Sequence, residues 1–310
     1  MIWLWVVLGL GAAVVVYASL LERNWYALRR HTVPCLPPGA PPMRVLHISD
    51  LHLRARQRRK QRWLRALGRL DPHLIVGTGD FLGEGSPQTL AATVETLAAM
   101  PASIARVFVL GSNDYYGPVP KNPLRYFRRR KGPPSLHGPQ NPWEDMVAGL
   151  KEAGWLFINN TATEVETPAV EAPEVEAPEV EAPEVDWIEV VGLDDAHIMR
   201  DDRSLARPRA PDDQRFRLGV AHSPDSAPVL AAAGFDLIMC GHTHGGQVRL
   251  PGYGALVTNC SLPRTMARGL HRFNGAWLHV NAGLGTNMFA PYRLACRPEA
   301  CLLDLVPRQG

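Results

Sequence analysis

The feature that most constrains the fold is a series of short apolar runs, several of which end in Asp, His or Asn. Runs of this length, rich in β-branched residues, predict strands. They cover residues 43–49, 73–78, 105–111, 155–159, 187–193, 216–222, 236–241 and 276–283. Apolar residues at helical spacing occur between some of them, at 59–70, 86–100 and 225–234. Strands alternating with helices predict an α/β fold, and the closer spacing of the later strands predicts that part of the sheet is antiparallel.

The polar residues that follow these strands form one candidate site. Open α/β sheets carry their sites at the carboxyl ends of strands, so residues far apart in sequence can converge there. The candidates are Asp50, His52, Asp80, Asn113, Asp114, His222, His242 and His244. In "CGHTHGGQ", an extended segment would send both histidines to the same side, and the flanking Gly241, Gly245 and Gly246 would let backbone pass close to a ligand.

The residue types in this set indicate a metal site. Carboxylates, imidazoles and an amide oxygen suit manganese, iron or zinc better than calcium, which prefers oxygen alone. No thiolate occupies these positions, which argues against a structural zinc site. The donors are too many for one ion and enough for two divalent ions that share a carboxylate. Two ions about 3.5–4 Å apart bind a phosphate and lower the pKa of a bridging water, so the set predicts phosphoester hydrolysis.

The motifs DLH, GD, GSND, H and GHTHGGQ, in this order, make the chain resemble the calcineurin-like metallophosphoesterase superfamily over residues 44 to about 290. More narrowly, the apolar N-terminus, "VLHISDLHL" and "GHTHGGQV" resemble the membrane-associated bacterial phosphoesterases of the YkuE/YaeI type. These are relatives of the UDP-2,3-diacylglucosamine hydrolases. The resemblance implies a four-layer α/β/β/α sandwich in which a metal-bound hydroxide attacks a phosphodiester or phosphomonoester.

The resemblance also implies a role for each candidate ligand. The first ion would be bound by Asp50, His52 and His244, the second by His222 and His242 with a residue of the 111–114 loop, and both by Asp80 as a bridge. Two histidines on one side of an extended segment can each reach a different ion, which is consistent with these roles.

The 111–114 loop departs from the family pattern, which is G-N-H followed by Asp or Glu. Here the loop is Gly111-Ser112-Asn113-Asp114, so Ser112 replaces the asparagine ligand and Asn113 replaces the histidine that supports the leaving group. Either Asn113 enters the metal shell or Ser112 ligates weakly; an amide oxygen is the better hard donor, so we prefer Asn113. Asp114 would then orient a neighbour or act as an acid.

Losing one general acid typically costs about 10²–10⁴-fold in rate, not all activity. The alternative function is therefore a degenerate, catalytically weak protein of the same fold that binds metal and a phosphorylated headgroup. A nuclease of the same superfamily is a further alternative. The net charge of +3 is too small to indicate nucleic acid by itself, and nucleic acid is not an expected partner.

The N-terminus predicts a membrane anchor. Residues 2–21 contain no charged side chain and as a helix would span about 30 Å, enough to cross a bilayer core. A cleaved signal peptide has basic residues before its apolar run and small residues at its cleavage site, and neither feature is clear here. Because Arg23, Arg29 and Arg30 follow the run, the positive-inside rule places the catalytic domain on the cytoplasmic side of the cell membrane. A lipid-linked or nucleotide-linked phosphoester is the expected substrate.

The predicted domains are an anchor at 1–22, a proline-rich connector at 23–43 and the metallophosphoesterase domain at 44–310. The stretch 32–43, "TVPCLPPGAPPM", is expected to be extended and poor in regular structure. Residues 164–186 carry the repeated pentamer EAPEV, which predicts an acidic loop inserted in a hairpin or, alternatively, an acidic docking arm.

Weaker signals remain open. Residues 194, 195 and 197 line the site or form a turn, and the 281–287 loop "NAGLGTN" cradles phosphate through its N–H groups or is a plain turn. The basic segments 54–65 and 125–132 are solvated faces or contacts for anionic lipid headgroups. Five cysteines without a C-x-x-C spacing argue against a disulfide framework. The remaining histidines, His47, His73, His137, His271 and His279, are expected to be structural or superficial.

Overall fold

The computed structural model describes residues 1–120, 138–167 and 187–308. The basic segment 125–132, His137 and most of the acidic repeat lie outside the described residues. The strands are β1 (Ala27–Leu36), β2 (Met43–Ile48), β3 (Leu74–Thr78), β4 (Ala105–Val109), β5 (Leu156–Phe157), β6 (Thr161–Glu166), β7 (Trp187–Leu193), β8 (Arg217–Ala221), β9 (Leu237–Cys240), β10 (Arg249–Leu250), β11 (Gly254–Ala255), β12 (Gly269–Phe273), β13 (Ala276–Val280) and β14 (Glu299–Pro307). The α-helices are α1 (Ile2–Val16), α2 (Arg58–Leu67), α3 (Pro87–Ala98), α4 (Ser112–Tyr115), α5 (Trp143–Glu152) and α6 (Ala227–Ala232).

Two six-stranded sheets carry the fold. The first has the order β1-β14-β2-β3-β4-β5 and the second the order β12-β13-β9-β8-β7-β6. The central strands of each sheet are parallel, whereas β14 runs antiparallel to β2, β6 to β7 and β12 to β13. The prediction of an α/β fold with a partly antiparallel sheet is therefore confirmed.

The core is built in layers because both faces of each sheet are apolar. Alternate residues such as Val45 on β2 and Val220 on β8 pack between the sheets. Leu46 and Ile48 point to the opposite side of the first sheet, where α2, α3 and α5 cover them. On the second sheet α6 covers the residues around Ile238. The result is the four-layer α/β/β/α sandwich expected from the sequence.

The segment that precedes the domain differs from the expectation. Residues 27–36 form β1, which pairs in parallel with β14 at the edge of the first sheet. The expectation that residues 32–43 lack regular structure is thus wrong for their first five. A proline is tolerated there because an edge strand needs hydrogen bonds on one side only, and the register shifts just after Pro34.

The apolar N-terminal helix is present and long enough to cross a membrane. After α1 the helix continues as a wider π-helical turn at Tyr17–Leu21 and a tighter 3₁₀ turn at Glu22–Asn24. Ile2–Asn24 thus form one 23-residue helical span, and no residue of α1 is buried. Its C-terminal end is attached to the domain by the Glu22 carboxylate. This group accepts the N–H groups of Ala295, at 3.0 Å, and Cys296, at 2.6 Å.

The acidic repeat lies in sequence between two strands that pair with each other. Glu166 at the end of β6 is opposite Trp187 at the start of β7. The repeat therefore joins the two strands of a hairpin, as expected, although its residues 168–186 lie outside the described part of the chain.

The pairing of β1 predicts that this strand contributes to stability. Val33 is fully buried between the sheets, so Val33→Ala is expected to lower the free energy of unfolding by about 1–3 kcal/mol, measured by urea titration of the full chain in non-ionic detergent. Arg30→Ala, on an exposed position of the same strand, is the matched control and should stay within about 0.5 kcal/mol. Equal effects of the two substitutions would show that β1 is not part of the cooperative fold.

Candidate metal centre

The candidate ligands converge where the carboxyl ends of β2, β3 and β4 face those of β8 and β9. The loops after β2 and β3 lie side by side, since the Asp50 N–H donates to the Gly79 carbonyl at 2.9 Å. The loops after β8 and β9 are joined by a bond from the Gly241 N–H to the His222 carbonyl, also 2.9 Å. The His242 N–H donates to Asp50 Oδ2 at 3.0 Å and links the two sheets.

Four side chains form the first group of donors, and their ligand atoms all lie within 4.8 Å of one another: Asp50, His52, Asp80 and His244. His52 Nε2 is 3.2 Å from His244 Nε2. The same His244 atom is 3.5 Å from Asp50 Oδ1, and His52 Nε2 is 3.6 Å from Asp80 Oδ2. These are the residues that the sequence analysis assigned to a first ion, together with the predicted bridge.

A second group shares Asp80 with the first. His222 Nε2 lies 3.5 Å from Asp80 Oδ2, and His242 Nδ1 lies 3.3 Å from His222 Nε2. Asn113 reaches the same carboxylate: its side-chain amide donates to Asp80 Oδ2 at 2.6 Å and its N–H to Oδ1 at 2.8 Å. The Asp80 carboxylate therefore lies between the two groups.

The backbone at these positions is unusual. Among the positive-φ residues other than glycine are five candidate ligands: Asp50, His52, Asp80, His242 and His244. Non-glycine residues rarely adopt this left-handed region, and such strain concentrates at functional sites, where the surrounding structure imposes it. The turn after each strand sends the side chain into the space between the two sheets.

Two glycines permit this close approach. A Cβ at Gly241 would overlap Ser49 Oγ and lie against the Asp50 carboxylate, and a Cβ at Gly111 would overlap Asp80 Oδ1. Any larger residue at either position would displace a candidate ligand. The prediction that glycine lets backbone pass close to the site holds for Gly241, and Gly111 adds a second position.

Asp114 lies behind Asp80 and holds its loop. Its fully buried carboxylate accepts four backbone N–H groups, from Asp80 at 2.7 Å, Phe81 at 2.7 Å, Leu82 at 3.0 Å and Gly111 at 3.0 Å. Burial, followed by the charge of Asp80, raises the pKa of Asp114 to about 7. The sequence left two roles open for Asp114, orienting a neighbour or acting as an acid. Because all four hydrogen bonds go to backbone, the geometry supports the orienting role.

Two groups of the site form an ion pair. Burial opposes both charges, yet the adjacent His222 holds the pKa of Asp80 well below its usual range. In return Asp80 and then Asp195 raise the pKa of His222 well above its usual value despite burial. Burial, and to a lesser extent Asp80, raises the pKa of Asp50 to about 6 against the opposing effect of His222.

Burial disfavours the charged form of the other imidazoles. Burial lowers the pKa of His52 to about 4 and lowers the pKa of His242 and that of His244. A neutral imidazole has a lone pair for a metal, and His222 would release its proton when a cation binds, since metal ligands must be deprotonated.

These donors fit divalent cations. Asp50 Oδ1 is fully buried, and no described residue gives it a hydrogen bond. Neighbouring donor atoms of the first group are separated by 3.2–3.6 Å, which suits donors about 2.0–2.2 Å from a shared cation. An unpaired buried carboxylate oxygen facing neutral imidazoles is unfavourable without a cation among them.

The site opens into a cavity of about 310 Å³. Its wall includes members of both donor groups together with Ser112, His197 and Asn287. The cavity has room for a phosphoester group beside the donors.

The weaker candidates divide between the site and the scaffold. Asp195 is fully buried with Oδ2 unpartnered among the described residues, and the His197 ring is tilted against the His242 ring with the two centroids 4.5 Å apart. Asp194 instead accepts the Tyr115 hydroxyl at 2.8 Å and Arg200 Nε at 3.1 Å. Two of the three residues thus lie at the site.

The 281–287 loop does not cradle phosphate through the N–H groups at its centre. Those of Leu284 and Gly285 donate to the carbonyls of Ser49 and Asp50, and that of Gly283 donates to Asn281 Oδ1. That expectation is wrong for these three, because the loop supports the turn after β2 instead. Its remaining contribution is Asn287, which lines the cavity.

Arg293 belongs to the site, and sequence analysis missed it. The guanidinium is fully buried, donates to the carbonyls of Ala282 and Gly285 at 2.7 Å each, and lies 3.5 Å from His244 Nδ1. An isolated arginine between apolar residues gives no local signal, so only the fold reveals its position.

The four described members of the remaining histidines lie away from the cleft. His47 and His279 form a buried pair between the sheets, with Nδ1 atoms 2.7 Å apart. His73 Nδ1 accepts the Arg44 N–H at 3.1 Å, and His271 Nε2 contacts the Arg268 carbonyl at 2.8 Å.

Comparison with known proteins gives one family model, described as Calcineurin-like phosphoesterase, that matches residues 43–246. The chain is 27% identical to "Phosphodiesterase YaeI" of Escherichia coli strain K12, over 94% of this chain and 92% of that protein. It is 23% identical to "Uncharacterized metallophosphoesterase YkuE" of Bacillus subtilis strain 168, over 93% and 88%. It is 25% identical to "UDP-2,3-diacylglucosamine pyrophosphatase LpxG" of Chlamydia trachomatis, over 84% and 83%.

The bonds to Asp114 predict that it controls metal affinity from behind the site. In Asp114→Asn an amide NH₂ would face backbone N–H groups that need acceptors, so the Asp80 loop should shift. We expect manganese to bind about 10–100-fold more weakly, measured by calorimetric titration. Asp145→Asn, an exposed acid on α5, is the matched control. Unchanged affinity in Asp114→Asn would contradict the orienting role.

Proposed function

This chain belongs to the calcineurin-like phosphoesterase family, and we propose that it hydrolyses a phosphodiester or phosphomonoester with two divalent ions bound between its sheets. That it is a metal-dependent phosphoester hydrolase follows from the family and from the phosphodiesterase and pyrophosphatase names of its relatives. The observation that supports two ions is the position of Asp80. Its Oδ2 atom is 3.6 Å from His52 Nε2 and 3.5 Å from His222 Nε2, one imidazole from each donor group.

The proposed ligands follow the two groups. One ion would be held by Asp50, His52 and His244, the other by His222, His242 and Asn113, with Asp80 shared by both. The ions themselves, of the manganese, iron or zinc kind, would lower the pKa of a water between them and neutralise the phosphoryl oxygens.

Neighbouring backbone atoms orient these imidazoles. The Thr78 carbonyl is 2.6 Å from His222 Nδ1, which leaves Nε2 facing Asp80. The Asn259 carbonyl is 3.2 Å from His242 Nε2, which leaves Nδ1 facing His222. A hydrogen bond to one ring nitrogen fixes the tautomer and directs the other to the ligand site.

Asn113 takes a ligand position in the proposed site, and Ser112 does not. The Asn113 amide already contacts the Asp80 carboxylate, and the Asn113 carbonyl accepts Asn141 Nδ2 at 2.8 Å, which fixes its loop. Rotation of the side-chain amide by half a turn would present its oxygen, a good donor for a hard cation. Ser112 only lines the cavity.

Without a histidine at position 113, a different group must assist the leaving oxygen. His197 lines the same cavity and its ring lies 4.5 Å from that of His242. We assign this assisting role to His197, because its imidazole lies beside the donors and faces the space that a substrate would fill.

A membrane location supports a lipid-linked substrate. The helical span Ile2–Asn24 has the length and composition of an anchor, and its end is bonded to the domain. The relative from Chlamydia trachomatis is named for a diacylated nucleotide sugar. With Arg23, Arg29 and Arg30 following the helix, we place the catalytic domain on the cytoplasmic side.

The central test is turnover of bis(p-nitrophenyl) phosphate by the full chain with added manganese. Asp80→Asn removes the shared charge, so kcat is expected to fall by about 10³-fold or more. Asp212→Asn, an exposed acid, should leave kcat unchanged. If the wild-type chain turned over neither this ester nor a phosphomonoester in manganese, iron or zinc, a catalytically weak binding protein would be the better description. Cleavage of DNA with no cleavage of lipid phosphodiesters would favour a nuclease.

The role of the 111–114 loop has its own test. Asn113→Ala removes the proposed ligand, so kcat/KM should fall by about 10–100-fold and the second manganese should bind more weakly. Ser112→Ala is the neighbouring control and should change either quantity less than about threefold. The reverse ranking would assign the metal position to Ser112.

A further inference from the structure

A second cavity, of about 160 Å³, adjoins the metal centre on the side of the N-terminal helix. His52 and Asn113 line both cavities, so the two spaces share a wall. The second cavity is lined by four cationic side chains, Arg23, Arg54, Arg56 and Lys60. No carboxylate of the described residues lines it. We refer to it as the basic cavity.

Lys60 has no counter-ion among the residues that the structure describes. It is only 3% exposed, and its Nζ donates to the Leu51 carbonyl at 2.7 Å, the one acceptor it has in the described chain. No described carboxylate oxygen lies within 4.0 Å of Nζ, although an ammonium group can donate three hydrogen bonds. A buried charge without a partner is costly, so two unused donors in a cavity indicate a ligand that accepts them.

The neighbouring charges do not compensate Lys60. Burial, then Arg293, Arg54 and Arg23, lower the pKa of Lys60 to about 7, so its surroundings are cationic. Arg54 has a distant partner in Glu84 at 3.8 Å, and Arg23 donates to the Pro291 carbonyl at 2.9 Å. Bringing four cations to one cavity is favourable only when an anion occupies it.

The position of the basic cavity relates it to substrate. Arg23 and Asn24 end the apolar helical span, so this cavity lies between that helix and the metal centre. A substrate phosphoryl group at the metals would place an adjoining part of the same molecule against Lys60. A lysine and arginines recognise phosphoryl or carboxylate groups by charge-assisted hydrogen bonds.

We propose that the basic cavity binds a second anionic group of the substrate, a phosphoryl or carboxylate group that is not the one hydrolysed. Lys60 is its central contact, with Arg54 and Arg56 around it. This inference rests on the proposed phosphoesterase function and narrows its substrate class to esters with two anionic groups, presented from the membrane side.

The test compares two esters that differ only in a second phosphate. These are thymidine 5′-(p-nitrophenyl phosphate) and thymidine 3′-phosphate 5′-(p-nitrophenyl phosphate), hydrolysed by the full chain in non-ionic detergent with manganese. The wild type is expected to show a KM about tenfold lower for the bisphosphate ester. Lys60→Gln keeps a donor for the Leu51 carbonyl but removes the charge, and should abolish this preference, so that the KM values for the two esters become equal.

Matched variants separate binding from folding. Arg62→Gln removes one exposed charge from the same helix outside the basic cavity and should keep the preference. Arg54→Gln, at a partly exposed position, provides the second variant if Lys60→Gln does not fold, and should reduce the preference by about threefold or more. Equal losses on both esters, or an unchanged preference in both Lys60→Gln and Arg54→Gln, would overturn the proposal.

The source of the second anion is distinguished by competition. Phosphatidic acid in detergent micelles and inorganic phosphate at the same concentration are each added to the bisphosphate reaction. Inhibition by the lipid alone, lost in Lys60→Gln, supports a lipid headgroup; inhibition by both supports any phosphate. If neither ester is hydrolysed in any metal, the phosphoesterase function fails. Anion binding by the basic cavity is then tested separately, by calorimetric titration with thymidine 3′,5′-bisphosphate. Equal affinity in the wild type and in Lys60→Gln would overturn the proposal.

Discussion

The site depends on one buried carboxylate, Asp80, which is shared between imidazoles from both sheets. Its charge is maintained in a dry environment by His222 on one side and by N–H and amide donors of Asn113 on the other. Behind it, Asp114 accepts the Asp80 N–H and holds the turn in a left-handed conformation. Asp80 and Asp114 can both be buried this close together because the Asp114 carboxylate is hydrogen-bonded by backbone N–H groups, whereas that of Asp80 faces His222 and the donors of Asn113.

The strand ends were predictable because two physical rules coincide there. Apolar runs specify strands, and the residues that follow parallel strands meet at one edge, so Asp50, Asp80 and His222 could be placed together before the fold was known. The same reasoning failed for β1, since "ALRRHTVPCL" is too polar to be recognised as a strand. Its partner β14 supplies the apolar neighbours and hydrogen bonds that this segment lacks on its own.

Residues whose roles depend on tertiary position could not be found from local patterns. Arg293 is a single cation in sequence and Lys60 is one of many in the basic segment 54–65, so nothing nearby distinguishes either residue from a solvated cation. Their buried surroundings distinguish them. Arg293 is surrounded by backbone carbonyl groups, whereas Lys60 donates to one carbonyl and lines a cavity. Position 113 is a similar case, because an asparagine in place of histidine is ambiguous until its contact with Asp80 is seen.

The distribution of charge then organises the surface that meets substrate. Carboxylates and imidazoles lie together at the cleft, whereas four cations and no described carboxylate line the adjoining cavity, next to the end of the apolar helix. Glu22 is the acid nearest to this junction in sequence, and its carboxylate is bonded to the N–H groups of Ala295 and Cys296, so it attaches the helix instead of neutralising the cations. The helix is therefore fixed to the same part of the domain that lines the basic cavity. If the proposed function holds and this helix crosses a membrane, an ester held in the bilayer would reach the cations first and the metal centre next, so the helix would orient the substrate as well as locate the enzyme.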